Sequence, residues 1–330
     1  MTSNYKRQHY VPQTYLEAWN DDTNKVRVYK KEDNMLYKYS NVDKVLYEND
    51  LYTKTVEDTL VLTYEEKCEI FKSLTGYKVF YKNQDEEKEL VTVEDFAIYF
   101  FDFDNWTIIR EDNTVVGKKT IKDLIQKVRI TILEEQWSSI ENHWGVLKNK
   151  IDNCIQESKS LESSDLEEIL EFMVAQKWRT PKALEECDNI IENVLVSVKD
   201  YLGTIYEVEK KSFGNAYFKK QILKFQSNDV NSNILKKIEI LRKFLIVFIK
   251  PIGKTFITSD NPVLTLIDKE FFNGNYNGIY FPIAPSLLIA LYKGDNNRYT
   301  VGTMRANIVR RFNTRIKKNS LKYYVTNYEL

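Results

Sequence analysis

The stretch Phe244-Leu245-Ile246-Val247-Phe248-Ile249-Lys250-Pro251-Ile252-Gly253-Lys254-Thr255-Phe256-Ile257-Thr258-Ser259-Asp260-Asn261-Pro262 is where the chain changes character. Before it, apolar residues recur at helical spacing. From Phe244 onward they fall in short runs, Phe244 to Lys250, Thr255 to Ser259, Gly278 to Ile283 and Leu287 to Tyr292, punctuated by Gly, Pro and Asn. Such runs read as strands of a mainly antiparallel sheet. Val301 to Ile316 then reads as a closing basic helix and Lys322 to Val325 as a last strand.

Working back from Phe244, residues 232 to 243 and 182 to 209 have helical spacing, and Pro181 marks a break or a helix start because it has no amide hydrogen. A helix running from Ser163-Ser164-Asp165 towards Trp178 could be capped by Ser164 or Asp165. Residues 120 to 155 carry Leu124, Val128, Ile132, Trp137, Ile140, Trp144, Leu147 and Ile151 by threes and fours, which predicts one long helix. Near the start, Val26 to Tyr29 and Met35 to Tyr39 flank the polar turn Lys31-Glu32-Asp33-Asn34 and predict a hairpin. Between hairpin and helix, residues 83 to 89 read as a solvated turn or loop, and the aromatic run Phe96 to Trp106 is expected to pack against the hairpin.

The fold class is therefore α+β: an N-terminal β-hairpin region (1–53), a variable insertion (54–119), a central helical bundle (120–243) and a C-terminal mainly antiparallel β region (244–330) with a closing basic helix, read as one composite domain over residues 1–330. At 43% hydrophobic and 13% aromatic residues the chain can bury a substantial core. Forty-eight basic residues balance 48 acidic ones, which argues against a generic polyanion binder but permits a local basic face. Cys68, Cys154 and Cys187 form no Cys-x-x-Cys pair, so no disulfide framework or zinc ribbon is suggested. The start of the chain has no apolar signal core, and the run from Phe244 to Ile249 is far too short to cross a bilayer. A cytoplasmic protein with no membrane partner is expected.

Four polar motifs stand out. His9, one of two histidines, lies in His9-Tyr10-Val11-Pro12-Gln13, with a side chain suited to acid–base work near neutrality. Gln176-Lys177-Trp178-Arg179-Thr180-Pro181 places Gln176 and Arg179 on neighbouring surface positions, where arginine offers a fork for phosphate or carboxylate, or simply closes the helix. Glu134 and Glu141, seven apart, share a helix face and could hold a divalent cation or a partner Arg, although most such glutamates are solvated. Thr258-Ser259-Asp260-Asn261-Pro262-Val263 ends a strand: Asp260 could bind a metal, orient His9 or act as a base, or with Asn261 could merely close an Asx turn. The closing helix adds Asn307, Arg310 and Arg311 to a stretch free of acids, which could engage phosphates or pair with acidic helices. No Walker A loop, dinucleotide glycine fingerprint, His-Glu-x-x-His or Gly-x-Ser-x-Gly is present.

Taken in order, His9-Tyr10-Val11-Pro12-Gln13, Gln176-x-x-Arg179-Thr180-Pro181, Thr258 to Val263 and Phe281-Pro282-Ile283-Ala284-Pro285 resemble domain-of-unknown-function family 4238, a mostly bacterial family. The resemblance spans nearly the whole chain, apart from residues 54 to 119. It implies no reaction, but it implies that the motifs form one composite polar site.

Two functional expectations follow. In the first, the chain is a phosphodiester hydrolase, a nuclease of a bacterial toxin or antiviral defence system. His9 would be its general acid or base, Arg179 would stabilise phosphate charge, and Asp260 would orient His9 or join Glu141 in holding a divalent metal. Gln13, Gln176, Asn261, Asn307, Arg310 and Arg311 would bind substrate. In the second, the same pocket senses a nucleotide or a partner protein of a defence system without turnover. A third, structural reading has the motifs joining the helical and β-rich parts.

Overall fold

The computed structural model describes residues 7–186, 189, 236–237, 239–266, 278–293 and 299–329. The expected helices over 182–209 and 232–243 lie largely outside the described residues, although 181–186 are helical. The architecture is α+β, with strands from both ends of the chain flanking central helices.

The N-terminal part contains β1 (Arg7–His9), α1 (Gln13–Leu16), β2 (Val26–Lys30), β3 (Leu36–Ser40) and β4 (Tyr47–Asn49). The β2–β3 hairpin turns where the sequence predicts, with Asn34 at φ 57° and the Asp33 carboxylate accepting the Met35 amide at 2.8 Å. That left-handed position suits asparagine, whose short polar side chain tolerates it.

The insertion forms α2 (Tyr64–Ile70), β5 (Lys78–Lys82), β6 (Glu87–Leu90), α3 (Val93–Tyr99) and β7 (Trp106–Ile109), and α4 (Lys118–Lys127) begins at its end. Its strands make a three-stranded sheet in the order β6-β5-β7. Two expectations are corrected here. Only Asn83 to Glu86 is turn, closed by the Asn83 side chain accepting the Asp85 and Glu86 amides, whereas Glu87–Leu90 pairs with β5. The aromatic run does not pack on the hairpin: Phe96, Phe100, Phe103 and Trp106 join Phe71, Val79, Ile108 and Ile125 in a core of the insertion's own.

The single long helix of the sequence reading is three helices: α4, α5 (Ile132–Asn142) and α6 (Trp144–Glu157). Between α4 and α5 the backbone at Ile130 bonds to Lys54 in both directions, at 3.1 and 3.0 Å, so it is extended rather than helical. Between α5 and α6 the break is one residue, His143, and the apolar spacing runs across it undisturbed. Then α7 (Ser163–Trp178) is capped by Glu162 rather than by Ser164 or Asp165, and Asp165 returns to the Glu162 amide at 2.8 Å.

The C-terminal part comprises β8 (Phe244–Ile252), β9 (Thr258–Ser259), β10 (Leu264–Leu266), β11 (Gly278–Ala284), β12 (Leu287–Lys293), β13 (Tyr299–Arg305), α8 (Ala306–Asn319) and β14 (Tyr323–Thr326). Five strands order as β10-β11-β12-β8-β13, antiparallel except for the parallel β8–β13 pair. The expected helix from Val301 therefore begins at Ala306, because residues 299–305 are used as an edge strand on β8. A second sheet, β3-β2-β14-β9, pairs the last strand with the first hairpin. Among the described residues no helix is long and apolar enough to cross a membrane.

The main core joins all of these parts except the insertion. Trp144 of α6 stacks on Phe172 of α7 at 4.0 Å, and Tyr15 of α1 stacks on Phe281 of β11 at 5.1 Å. The buried Tyr15 hydroxyl donates to the Pro282 carbonyl and bonds the Thr258 hydroxyl, both at 2.6 Å. Tyr15→Phe keeps the ring but leaves those buried oxygens short of a partner. It should lower unfolding free energy by about 1–3 kcal/mol in urea denaturation.

Candidate functional site

Arg179 is the residue from which the site is built. It follows the last residue of α7, and its own carbonyl is one of the acceptors that a helix end leaves free. The Tyr52 hydroxyl donates to that carbonyl. Thr180 then caps the next helical turn, its hydroxyl accepting the Ala183 amide at 3.3 Å, with Pro181 at the first helical position. The Arg-Thr-Pro order is thus a helix stop followed by a helix start, and the stop turns the guanidinium inward.

That guanidinium is 1% exposed. Its Nη1 pairs with the Glu141 carboxylate of α5 and its Nη2 donates to the His9 carbonyl at the end of β1. It lies 5.7 Å from the Trp137 ring and 6.0 Å from the Tyr52 ring, at cation–π range. Glu134, Trp137 and Glu141 sit at i, i+3 and i+7 of α5, so one helix face supplies both carboxylates and an aromatic wall. Gln176, one turn before Arg179, is fully buried, and neither end of its amide has a hydrogen-bond partner among the described residues. The Arg179 Nε and one Glu134 oxygen are likewise buried without a partner.

His9 reaches the same place from the N-terminal segment. Its Nδ1 lies 3.3 Å from the Gln13 amide nitrogen, and no bond of normal geometry reaches its buried Nε2. Gln13 thereby selects the tautomer: amide nitrogen towards Nδ1 leaves the proton on Nε2, and the flipped amide leaves a lone pair there. Burial, and after it the Arg179 charge, lowers the His9 pKa from 6.5 to about 4, against an opposing pull from the Asp43 backbone and carboxylate. His9 is neutral at pH 7. Burial also raises Glu134, with Arg179 pulling the other way.

Asp260 stands apart from this cluster. Its carboxylate accepts the amides of Leu321, Lys322 and Tyr323 at 2.8, 2.6 and 2.8 Å. Burial raises its pKa while those amides lower it. Asp260 therefore ties β9 to the turn before β14, and Gln13 rather than Asp260 holds the His9 ring. Asn261 is also structural: it exchanges side-chain and backbone bonds with Asn319 and accepts from Thr180 at 3.3 Å. The expected metal pair of Asp260 and Glu141 is corrected in the same way, because one carboxylate is taken by amides and the other by Arg179. Among the described residues no group of three or more His, Cys, Asp and Glu side chains could hold a metal ion.

Asn307, Arg310 and Arg311 are exposed on α8, which buries Val309, Phe312 and Ile316 on its other face. The sequence reading missed Tyr52 and Trp137 as members of the site. Trp137 was hidden among regularly spaced apolar residues, and Tyr52 sits after the left-handed Asp50 with no motif to mark it. Buried Gln8 positions Tyr52: its side chain accepts the Tyr52 amide at 2.5 Å and donates to Thr53 at 2.8 Å.

A family model described as "Protein of unknown function (DUF4238)" matches residues 7–327. The chain belongs to this family. No curated protein and no solved structure matches it. In this DUF4238 chain the first two motifs, His9 to Gln13 and Gln176 to Pro181, meet at one guanidinium, and the third is joined to them through Thr180 and Asn261.

Two outcomes test this geometry. Glu141→Gln removes the counter-charge of a buried guanidinium and should cost about 3 kcal/mol of stability by urea denaturation. His9, held at about 4 when folded, takes up its proton later than the free imidazole near 6.5, so the unfolded chain is favoured on acidification. The stability that His9 supplies is complete above pH 6.5 and is lost between pH 6.5 and 4, on the order of 3 kcal/mol. Urea midpoints measured across that window should fall in the wild type and flatten in His9→Ala.

Proposed function

We propose that this chain is a phosphodiester hydrolase, of the nuclease type used by bacterial toxin and antiviral defence systems, working from the His9–Arg179–Glu134 cluster. The observation that carries the reading is a neutral histidine with a buried Nε2, whose backbone carbonyl accepts from the buried Arg179 guanidinium. With the Gln13 amide turned over from the orientation in the structure, so that its carbonyl accepts from Nδ1–H, the Nε2 lone pair takes a proton from the attacking water. As the water oxygen bonds to phosphorus and the bond to the leaving oxygen breaks, Glu134, whose pKa burial raises, delivers a proton to that oxygen. Arg179 stabilises the charge on the phosphoryl oxygens, the phosphate exchanging with Glu141 for the guanidinium. The exposed basic residues of α8, Arg310 and Arg311 among them, offer a surface for the rest of a nucleic-acid strand.

One observation favours a second reading, a sensor that binds a nucleotide or a defence-system partner without turnover: Arg179 is already neutralised by Glu141 and enclosed by Tyr52 and Trp137. Incubation with single- and double-stranded DNA and RNA oligonucleotides, followed by product analysis, separates the two. The hydrolase reading expects cleavage that drops by at least about a hundredfold in His9→Ala and in Glu134→Gln, with circular dichroism unchanged. Wild-type turnover in both variants removes it, and stoichiometric binding of unaltered ligand turns the assignment to the sensor.

A further inference from the structure

A groove of about 780 Å³ lies between α6 and the strand ends of the C-terminal sheet, and it shares no lining residue with the Arg179 cluster. Its walls include Asp152 and Ile155 of α6, Lys250 of β8, Lys254, Asn327 and Tyr328. That volume is in the range of small-molecule sites, roughly 300–1,000 Å³.

The groove is built by a deliberate change of direction. After β8 the chain reverses at Gly253, whose φ of 75° is in the left-handed region that favours glycine. A side chain there would also come within 3.7 Å of the Ala306 methyl at the start of α8. The reversal puts Lys250 and Lys254 on the same groove, one before and one after the turn. Neither lysine has an acidic partner among the described residues. The one carboxylate in the wall, Asp152, is already engaged by Lys148 at 2.8 Å, so the charge offered to a ligand is positive.

The other walls are of a different chemistry. Ile155 and the half-buried Tyr328 supply apolar and aromatic surface. An anion-binding pair and a ring-sized apolar wall together match one ligand class.

We infer that this groove binds a nucleoside monophosphate, its phosphate between Lys250 and Lys254 and its ring against Ile155 and Tyr328. Two flexible ammonium groups reach a phosphate as point charges, and the confined volume suits one nucleotide rather than a strand.

The test is isothermal titration of the full chain with the four nucleoside monophosphates, with adenosine, inorganic phosphate and a short oligonucleotide as separate probes. At least one monophosphate should bind one to one and at least about tenfold more tightly than adenosine or phosphate alone. Lys250→Glu with Lys254→Glu should weaken it by about tenfold or more, the loss of a charge-assisted hydrogen bond. Both lysines are exposed, so folding should hold by circular dichroism. No saturable binding of any monophosphate, binding untouched by the charge reversal, or binding of the oligonucleotide alone would each overturn the proposal.

Discussion

The structure depends on how one buried charge is accommodated. A guanidinium withdrawn from water is tolerable only when its hydrogen bonds and its charge are answered locally. For Arg179 the answers come from three distant pieces of chain: the Glu141 carboxylate on α5, the His9 carbonyl at the end of β1, and the rings of Tyr52 and Trp137. Because each partner is fixed to its own element, the same interaction sets the angle at which the N-terminal strand meets the helices. The site and the fold share this one residue.

A second tie works without pairing two side-chain charges. Asp260 accepts three consecutive amides before β14, so the strand that ends at Ser259 and the strand that closes the chain are locked in register. Tyr15 carries that lock to the N-terminal segment through Thr258 and Pro282. The polar motifs therefore divide by task. His9, Gln13, Gln176, Glu134, Glu141 and Arg179 leave polar atoms unspent or hold charge, whereas Asp260, Asn261 and Thr180 have their side-chain bonds used up in joining elements.

Legibility followed the range of the forces involved. The hairpin at Asn34 and the strands from Phe244 onward were readable because turn chemistry and β-branched runs act within a few residues. Breaking the long helix at Ile130 required Lys54, which lies far away in sequence and whose backbone captured the bonds a helix would have made. Val301 to Arg305 has no local feature that forbids a helix; the free edge of β8 makes it a strand. The aromatic run from Phe96 is similar, since its composition says only that it will be buried, and the partners in the insertion decide against what.

By itself the sequence determined that the protein is α+β, that its termini are β-rich around central helices, and that His9, Gln176, Arg179 and Asp260 belong to motifs worth joining. These follow from periodicity, from turn residues and from the chemistry of individual side chains, all of which are local. Only the tertiary structure decided which motif atoms remain available. Asp260 and His9 both carry buried polar atoms in motifs, yet one carboxylate accepts three amides and the Nε2 of the half-buried imidazole has no hydrogen-bond partner among the described residues. The difference is made by which backbone groups the fold brings within hydrogen-bonding distance, and no spacing along the chain encodes that.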